Sequence, residues 1–383
     1  MVEASPEELD FIAFVRAQSS DLDEEWAEIA EGRFDMGEIV DPLFARLEME
    51  KGEAEALTAD FSDGFIGYVR TKNRDIANRM RHLASLAVKK GHPEPGRYFA
   101  GRYPTHSFNA QACRAGSTQL LLIHTGFERL LVEGARLLFA IHDKIAPAKV
   151  ERWPEPSWYA DASLEGLLGN FADLLASYVA DAEPYPFYLD ADLYPFEPKH
   201  ELPAFSAASA AQDFALAHEL GHVLKGHLDS VAEEPTEPKR QLRSGLEVIA
   251  SDHAQEHEAD IFAGRLLFCT QPESEEQPVL DLIYGKYLGV GLFFDFDGLV
   301  SEIEAQAFGL DPTHETQSHP PARRREAVML RDLRSEIISR HLFADRRAIG
   351  KTFRKIRADL LDLAVQHLVE RQSAGDKMPA DTL

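Results

Sequence analysis

One stretch constrains the fold more than any other. Ser206–Leu228 is alanine-rich and apolar on most of its surface, yet it carries His218-Glu219-Leu220-Gly221-His222 in its midst. A helix that is apolar nearly all round is buried on nearly all sides, so the rest of the chain must wrap around this one. Phe214, Leu216, Leu220, Val223 and Leu224 surround the polar residues, and uncompensated polar groups in such a place are costly. Whatever fold forms has to satisfy two imidazoles and a carboxylate inside a core helix.

The spacing suggests how. Residues four apart lie one turn along the same helix face, about 5–6 Å apart. Both imidazoles can therefore reach one zinc ion at about 2.0–2.1 Å. Glu219, next along the helix, is placed to act as general base on a water that the metal acidifies. With 15 histidines in the chain, roughly 0.06 accidental copies of H-E-x-x-H are expected. The plainer alternative, histidines on a solvated helix surface, conflicts with the apolar neighbours.

A catalytic zinc needs a third protein ligand and an open fourth position. The longer H-E-x-x-H-x-x-G-x-x-H pattern would put its glycine at Lys225 and its histidine at Leu228, one residue out of register with His227. On this reading His227 ends the helix facing elsewhere. Glu256, on a second helix over roughly Gly245–Phe268, is the better candidate. It shares a face with Ala259, Asp260 and Ala263, where small residues allow two helices to approach closely. Asp260 is placed to accept the free ring N–H of a ligating histidine. The competing reading of Glu256 is a solvated acidic first turn. His257 and Glu258 remain alternatives if the helix register slips.

The rest of the chain reads as mostly helical with a little sheet. Ser5-Pro6-Glu7-Glu8 is a helix start, and a helix over Tyr68–Lys90 runs into the breaker Gly91-His92-Pro93-Glu94-Pro95-Gly96. Ser107–Cys113 and Thr118–Ile123 read as a hairpin, followed by helices over Gly126–Ile141 and Leu164–Val179. Asp181–Pro203, with five prolines, reads as an ordered surface loop. Three regions follow: helical 1–95, a catalytic region 96–330 with an insertion at 143–205, and helical 331–383.

At 383 residues the chain can bury a large core. Its formal net charge of −25 argues against general affinity for nucleic acid or an anionic membrane. From Pro321 to Leu383 there are 14 Lys and Arg against 9 Asp and Glu, interleaved with leucines, which fits a solvated helix face better than a nucleic-acid contact. The apolar runs Leu120–Ile141 and Val279–Val300 are broken by charges, so they read as core helices rather than membrane spans. The Met1–Asp10 stretch, acidic at Glu3, Glu7, Glu8 and Asp10, does not resemble a secretory signal. The 2 cysteines, Cys113 and Cys269, fit reduced thiols in a cytoplasm.

These residues resemble the soluble core of the prenyl-protease/HtpX-type zinc metallopeptidases. Four features carry the likeness: Asn109-Ala110 with the hairpin and a helix after Gly126; His218 to Val223 with His227 five residues beyond His222; the pair Glu256 and Asp260; and Ser318-His319-Pro320-Pro321 with Arg325. Other soluble H-E-x-x-H peptidases, regulatory or phage-excluding, share the zinc signature. The resemblance implies an α+β, mostly helical, zincin-like domain with a small edge sheet and helical extensions at both ends. It implies Zn2+ held by His218, His222 and Glu256, Asp260 orienting a ligand histidine, and Glu219 as base. His319, or alternatively His314, would border the cleft and stabilise the oxyanion. A protein or peptide substrate would pair along an edge strand near Asn109 or Thr118–Leu122. The long stretch Asp143–Phe205 and the absence of membrane helices depart from that family's pattern. A non-enzymatic alternative is a zinc-stapled interaction scaffold, in which His227 or Cys269 would close the metal's fourth position.

Overall fold

The computed structural model describes residues 4–18, 65–103, 110–145, 163–180, 198–228, 253–268, 279–307, 320–334 and 343–374. Asn109, Cys269, His314, His319 and the acidic loop 232–239 lie outside them. What is described is mostly helical with one three-stranded sheet.

Helix α1 (Pro6–Gln18) opens with a capping box. The Ser5 amide donates to Glu8 Oε2 at 2.7 Å, and the Glu8 amide donates to Ser5 Oγ at 3.2 Å. Helix α2 (Phe65–Lys89) ends where Gly91 takes φ 88°. There the amides of Gly91 and His92 donate back to Val88 and Ala87, so the breaker works as a helix cap.

The sheet follows. Strands β1 (Tyr98–Tyr103), β2 (Ala110–Ala115) and β3 (Thr118–His124) are ordered β1-β3-β2, with β3 parallel to β1 and antiparallel to β2. The expected hairpin forms, turning at Gly116-Ser117 with Gly116 at φ 57°. β1 is not anticipated from the sequence, because Gly101 and Arg102 interrupt its apolar pattern. The structure explains both residues. A Cβ at Gly101 would sit 2.9 Å from Asn73 Oδ1 of α2, and that oxygen accepts the Arg102 amide at 2.6 Å. Arg102 in turn spans Asp75 and Glu128.

Helix α3 (Thr125–Ile145) leaves β3 directly, and α4 (Leu164–Ala180) packs on it. Helix α5 (Pro198–Leu224) starts eight residues before the expected Ser206, so residues 198–203 of the anticipated surface loop are helical. A proline at the first helical position costs no hydrogen bond. The remaining helices are α6 (His253–Phe268), α7 (Val279–Ala307), α8 (Ala322–Leu333) and α9 (Phe343–Ala374).

Helix α5 is the hub. It packs against α6, α7 and α3, and touches α2, β2 and β3. Ala207, Ala208, Ala211, Phe214, Leu216, Ala217 and Leu220 on it are sealed from solvent. One hydrophobic cluster joins α2, the sheet and α3 to α9. The helix within the 143–205 stretch contributes Leu167, Phe171 and Leu175 to that cluster, and the C-terminal helix contributes Phe353 and Leu360. Among the described residues, no helix is long and apolar enough to cross a membrane.

Candidate metal centre

The site sits where α6 lies along the C-terminal half of α5. Gly221, inside the H-E-x-x-H turn, lets the two helices come close. A Cβ there would be 3.0 Å from Phe262 Cδ1 and 3.2 Å from the Ala259 Cα. That approach brings Glu256 to the two histidines.

The three side chains converge. His218 Nε2 lies 3.1 Å from His222 Nε2. Glu256 places Oε2 at 3.4 Å from His218 Nε2 and Oε1 at 3.3 Å from His222 Nε2. Four ligands at about 2.0–2.1 Å around a tetrahedral zinc stand about 3.4 Å from one another. The observed spacings match the edges of such a tetrahedron, so the donor set fits the ion. All three residues are buried, and among the described residues they form the group that can hold a metal. His257 and Glu258 fall outside it. His257 lines a cavity of about 440 Å³ with Lys90, Lys225 and Arg265 instead.

Behind the trio lies a second set of charges. Asp260 is fully buried, and its Oδ1 lies 3.0 Å from His218 Nδ1. Arg325 donates to both Asp260 oxygens, from Nε at 2.9 Å and from Nη2 at 2.8 Å. Its Nη2 also stands 3.4 Å from Glu256 Oε2, and its guanidinium rests over the rings of Phe294 and Phe293 at 5.7 and 6.0 Å. Read bottom-up, Arg323-Arg324-Arg325 looks like a solvated basic run. The structure exposes the first two and buries the third. The available signal was spacing: Ala322, Arg325, Met329 and Leu333 form the buried face of α8.

The electrostatics agree with a cation site. Burial opposes charge on His218, but Asp260 and Glu256 overcome it and hold its pKa up to about 10. Burial would raise the Asp260 pKa, but Arg325 and His218 bring it down to about 2. Glu219 is buried on the same turn of α5 as the ligands. Cys113 of β2 lies close enough to feel its charge: burial first, and then Glu219, push the thiol up to about 12. Edge strand β2 therefore runs beside Glu219.

Two expectations need correction. Thr118–Leu122 cannot accept a peptide as an added strand, because β3 is the central strand and is paired on both sides. Among the described residues, β2 is the edge strand on this side of the sheet. His227 does not face elsewhere either. It is buried, and its Nδ1 lies 3.0 Å from His222 Nδ1. No family model, no curated protein and no solved structure matches this chain.

Proposed function

We propose that this chain is a zinc-dependent endopeptidase of zincin-like design, acting on a protein or peptide substrate in the cytoplasm. The observation that carries the proposal is the convergence of His218, His222 and Glu256, at tetrahedral spacing, beside the buried Glu219. When bound, the ion supplies Lewis acidity that acidifies a water and polarises a carbonyl. Glu219 takes the proton of the attacking water and returns it to the leaving amine. The outer edge of β2 offers backbone amides and carbonyls to an extended substrate, which orients the scissile bond without a deep side-chain pocket. Asp260, clamped by Arg325, keeps His218 turned inward.

The scaffold alternative needs a closed metal site. His227 does not supply the closing ligand, since it lies against the outer nitrogen of His222. A structural site also has no use for Glu219. The test is Glu219→Gln: the variant is expected to bind zinc as the wild type does and to lose at least about 100-fold in turnover, the low end of what a general base contributes. New protein termini would then appear in cells expressing the wild type and be missing with the variant. Equal activity of the two proteins on a common substrate would remove Glu219 from its role.

A further inference from the structure

We infer that His227 is a positioning residue for the metal ligand His222, and that Glu258 fixes its tautomer. This rests on the metal reading above, which it deepens.

The backbone places the residue. Helix α5 ends at Leu224, and Gly226 turns the chain with φ 73°. The Gly226 amide donates to the Val223 carbonyl at 3.2 Å, and the His227 amide donates to the His222 carbonyl at 3.0 Å. This pair of bonds is the Schellman cap, in which the second residue past the cap folds back over the residue five before it. Apolar side chains usually meet at those two positions. Here two imidazoles do.

The proton positions then follow from one another. His222 turns Nε2 to the metal position, 3.3 Å from Glu256 Oε1. A ligating imidazole coordinates through a lone pair and carries its proton on the other nitrogen. The proton of His222 is therefore on Nδ1, and Nδ1–H donates to His227 Nδ1 at 3.0 Å. His227 must accept there, so its own proton sits on Nε2. That nitrogen lies 3.3 Å from Glu258 Oε2, an acceptor when ionised. Glu258 is held in turn by Lys225, whose ammonium donates to Oε1 at 2.7 Å. Each ligand histidine thus has its own outer partner: a carboxylate for His218, and a neutral imidazole backed by a carboxylate for His222.

The experiment is metal binding to the purified full chain, read without any substrate. Cobalt(II) is titrated in competition with a chelator, and its visible absorption reports the coordination geometry. His227→Ala is expected to weaken binding by about 10- to 100-fold, as loss of an outer partner does, and to shift the cobalt spectrum. His227→Gln, which keeps an acceptor, is expected to recover most of both. Glu258→Ala, a half-exposed site where folding is not at stake, is expected to give a smaller loss of the same kind. Wild-type affinity and an unshifted spectrum in His227→Ala and Glu258→Ala would overturn the assignment while leaving the metal centre standing. A wild-type chain that takes up no cobalt would overturn the metal reading itself, and this one with it.

Discussion

Glu256 and Asp260 lie one turn apart on α6, both sealed from water, and Asp260 has both Arg325 and His218 as cationic neighbours. A buried carboxylate needs such a partner, because desolvation of an isolated charge costs several kcal/mol. Arg325 answers for Asp260 through two hydrogen bonds. The inner carboxylate, Glu256, faces both imidazoles, so the metal-free site draws a proton onto His218. The exposed imidazole reference is 6.5, and the folded value is raised to about 10. A raised folded pKa gives stability that is complete below the unfolded pKa and fades as pH climbs through the folded one. The melting temperature of the EDTA-treated protein is therefore expected to fall between about pH 6.5 and 10. The zinc-saturated protein should lack that fall, because the ion replaces the proton. Parallel thermal melts across this range measure the difference. Superimposable profiles with and without metal would mean that His218 does not sit between two carboxylates as described.

The helices of this fold approach as closely as their glycines allow, and α7 shows it most clearly. A Cβ on Gly289 would run into the Ala207 carbonyl oxygen and the Ala210 side chain of α5. Nine residues on, a Cβ on Gly298 would meet Arg357 Nη2 at 3.5 Å and Ala322 Cβ at 3.6 Å, which is ordinary contact. The same substitution is therefore expected to have opposite signs on one helix. Gly289→Ala should destabilise by about 1–3 kcal/mol, since overpacking forces the backbone apart. Gly298→Ala should be neutral or stabilise by about 0.5–1 kcal/mol, through the loss of glycine's unfolded-state entropy. Urea titration of the three proteins decides it, and a destabilised Gly298→Ala with an unaffected Gly289→Ala would reverse the packing assignment. The helices themselves were legible, because apolar residues at spacings of three and four announce α3 and α4, and an alanine-rich run apolar on most of its surface announces α5, without knowledge of their neighbours. His218 and His222 were legible for the same reason, since their spacing is helical, and Glu256 was legible from the small residues and Asp260 that share its face of α6. β1 was not, because Gly101 and Arg102 make sense only once Asn73 of α2 is beside them. His227 was missed because the expected helix ran on to Leu228, whereas it ends at Leu224. Gly226 carried the information, as a cap that turns the chain back.

At the scale of the molecule, spacing along the chain divides what packing joins. The breaker after α2 and the basic helical end suggest a catalytic region at 96–330 flanked by extensions. In the structure, Ile76, Met80 and Leu83 of α2 and Phe353, Ile356, Leu360 and Leu368 of α9 lie in the same cluster as Phe214 and Leu220, which flank His218 and His222 along α5. Sequence reasoning cannot see this, since apolar faces on α2 and α9 show that something covers them but not what. Each large apolar side chain contributes about 1.5–3 kcal/mol on burial, so the seven together contribute roughly 10–20 kcal/mol. The net stability of a folded protein is about 5–15 kcal/mol, which the loss of these helices would exhaust. A fragment spanning residues 96–330 is therefore expected to lose its cooperative thermal transition and to bind a hydrophobic dye, as collapsed chains without fixed packing do. Its zinc affinity should fall with it, because α5 would lose its contact with α2, and α7, which packs on α5, would lose α9 behind it. Calorimetry and dye fluorescence on the fragment and the full chain give the comparison. A sharp melt in the fragment would show that the region around the H-E-x-x-H helix is a self-sufficient domain and that α2 and α9 only lean on it.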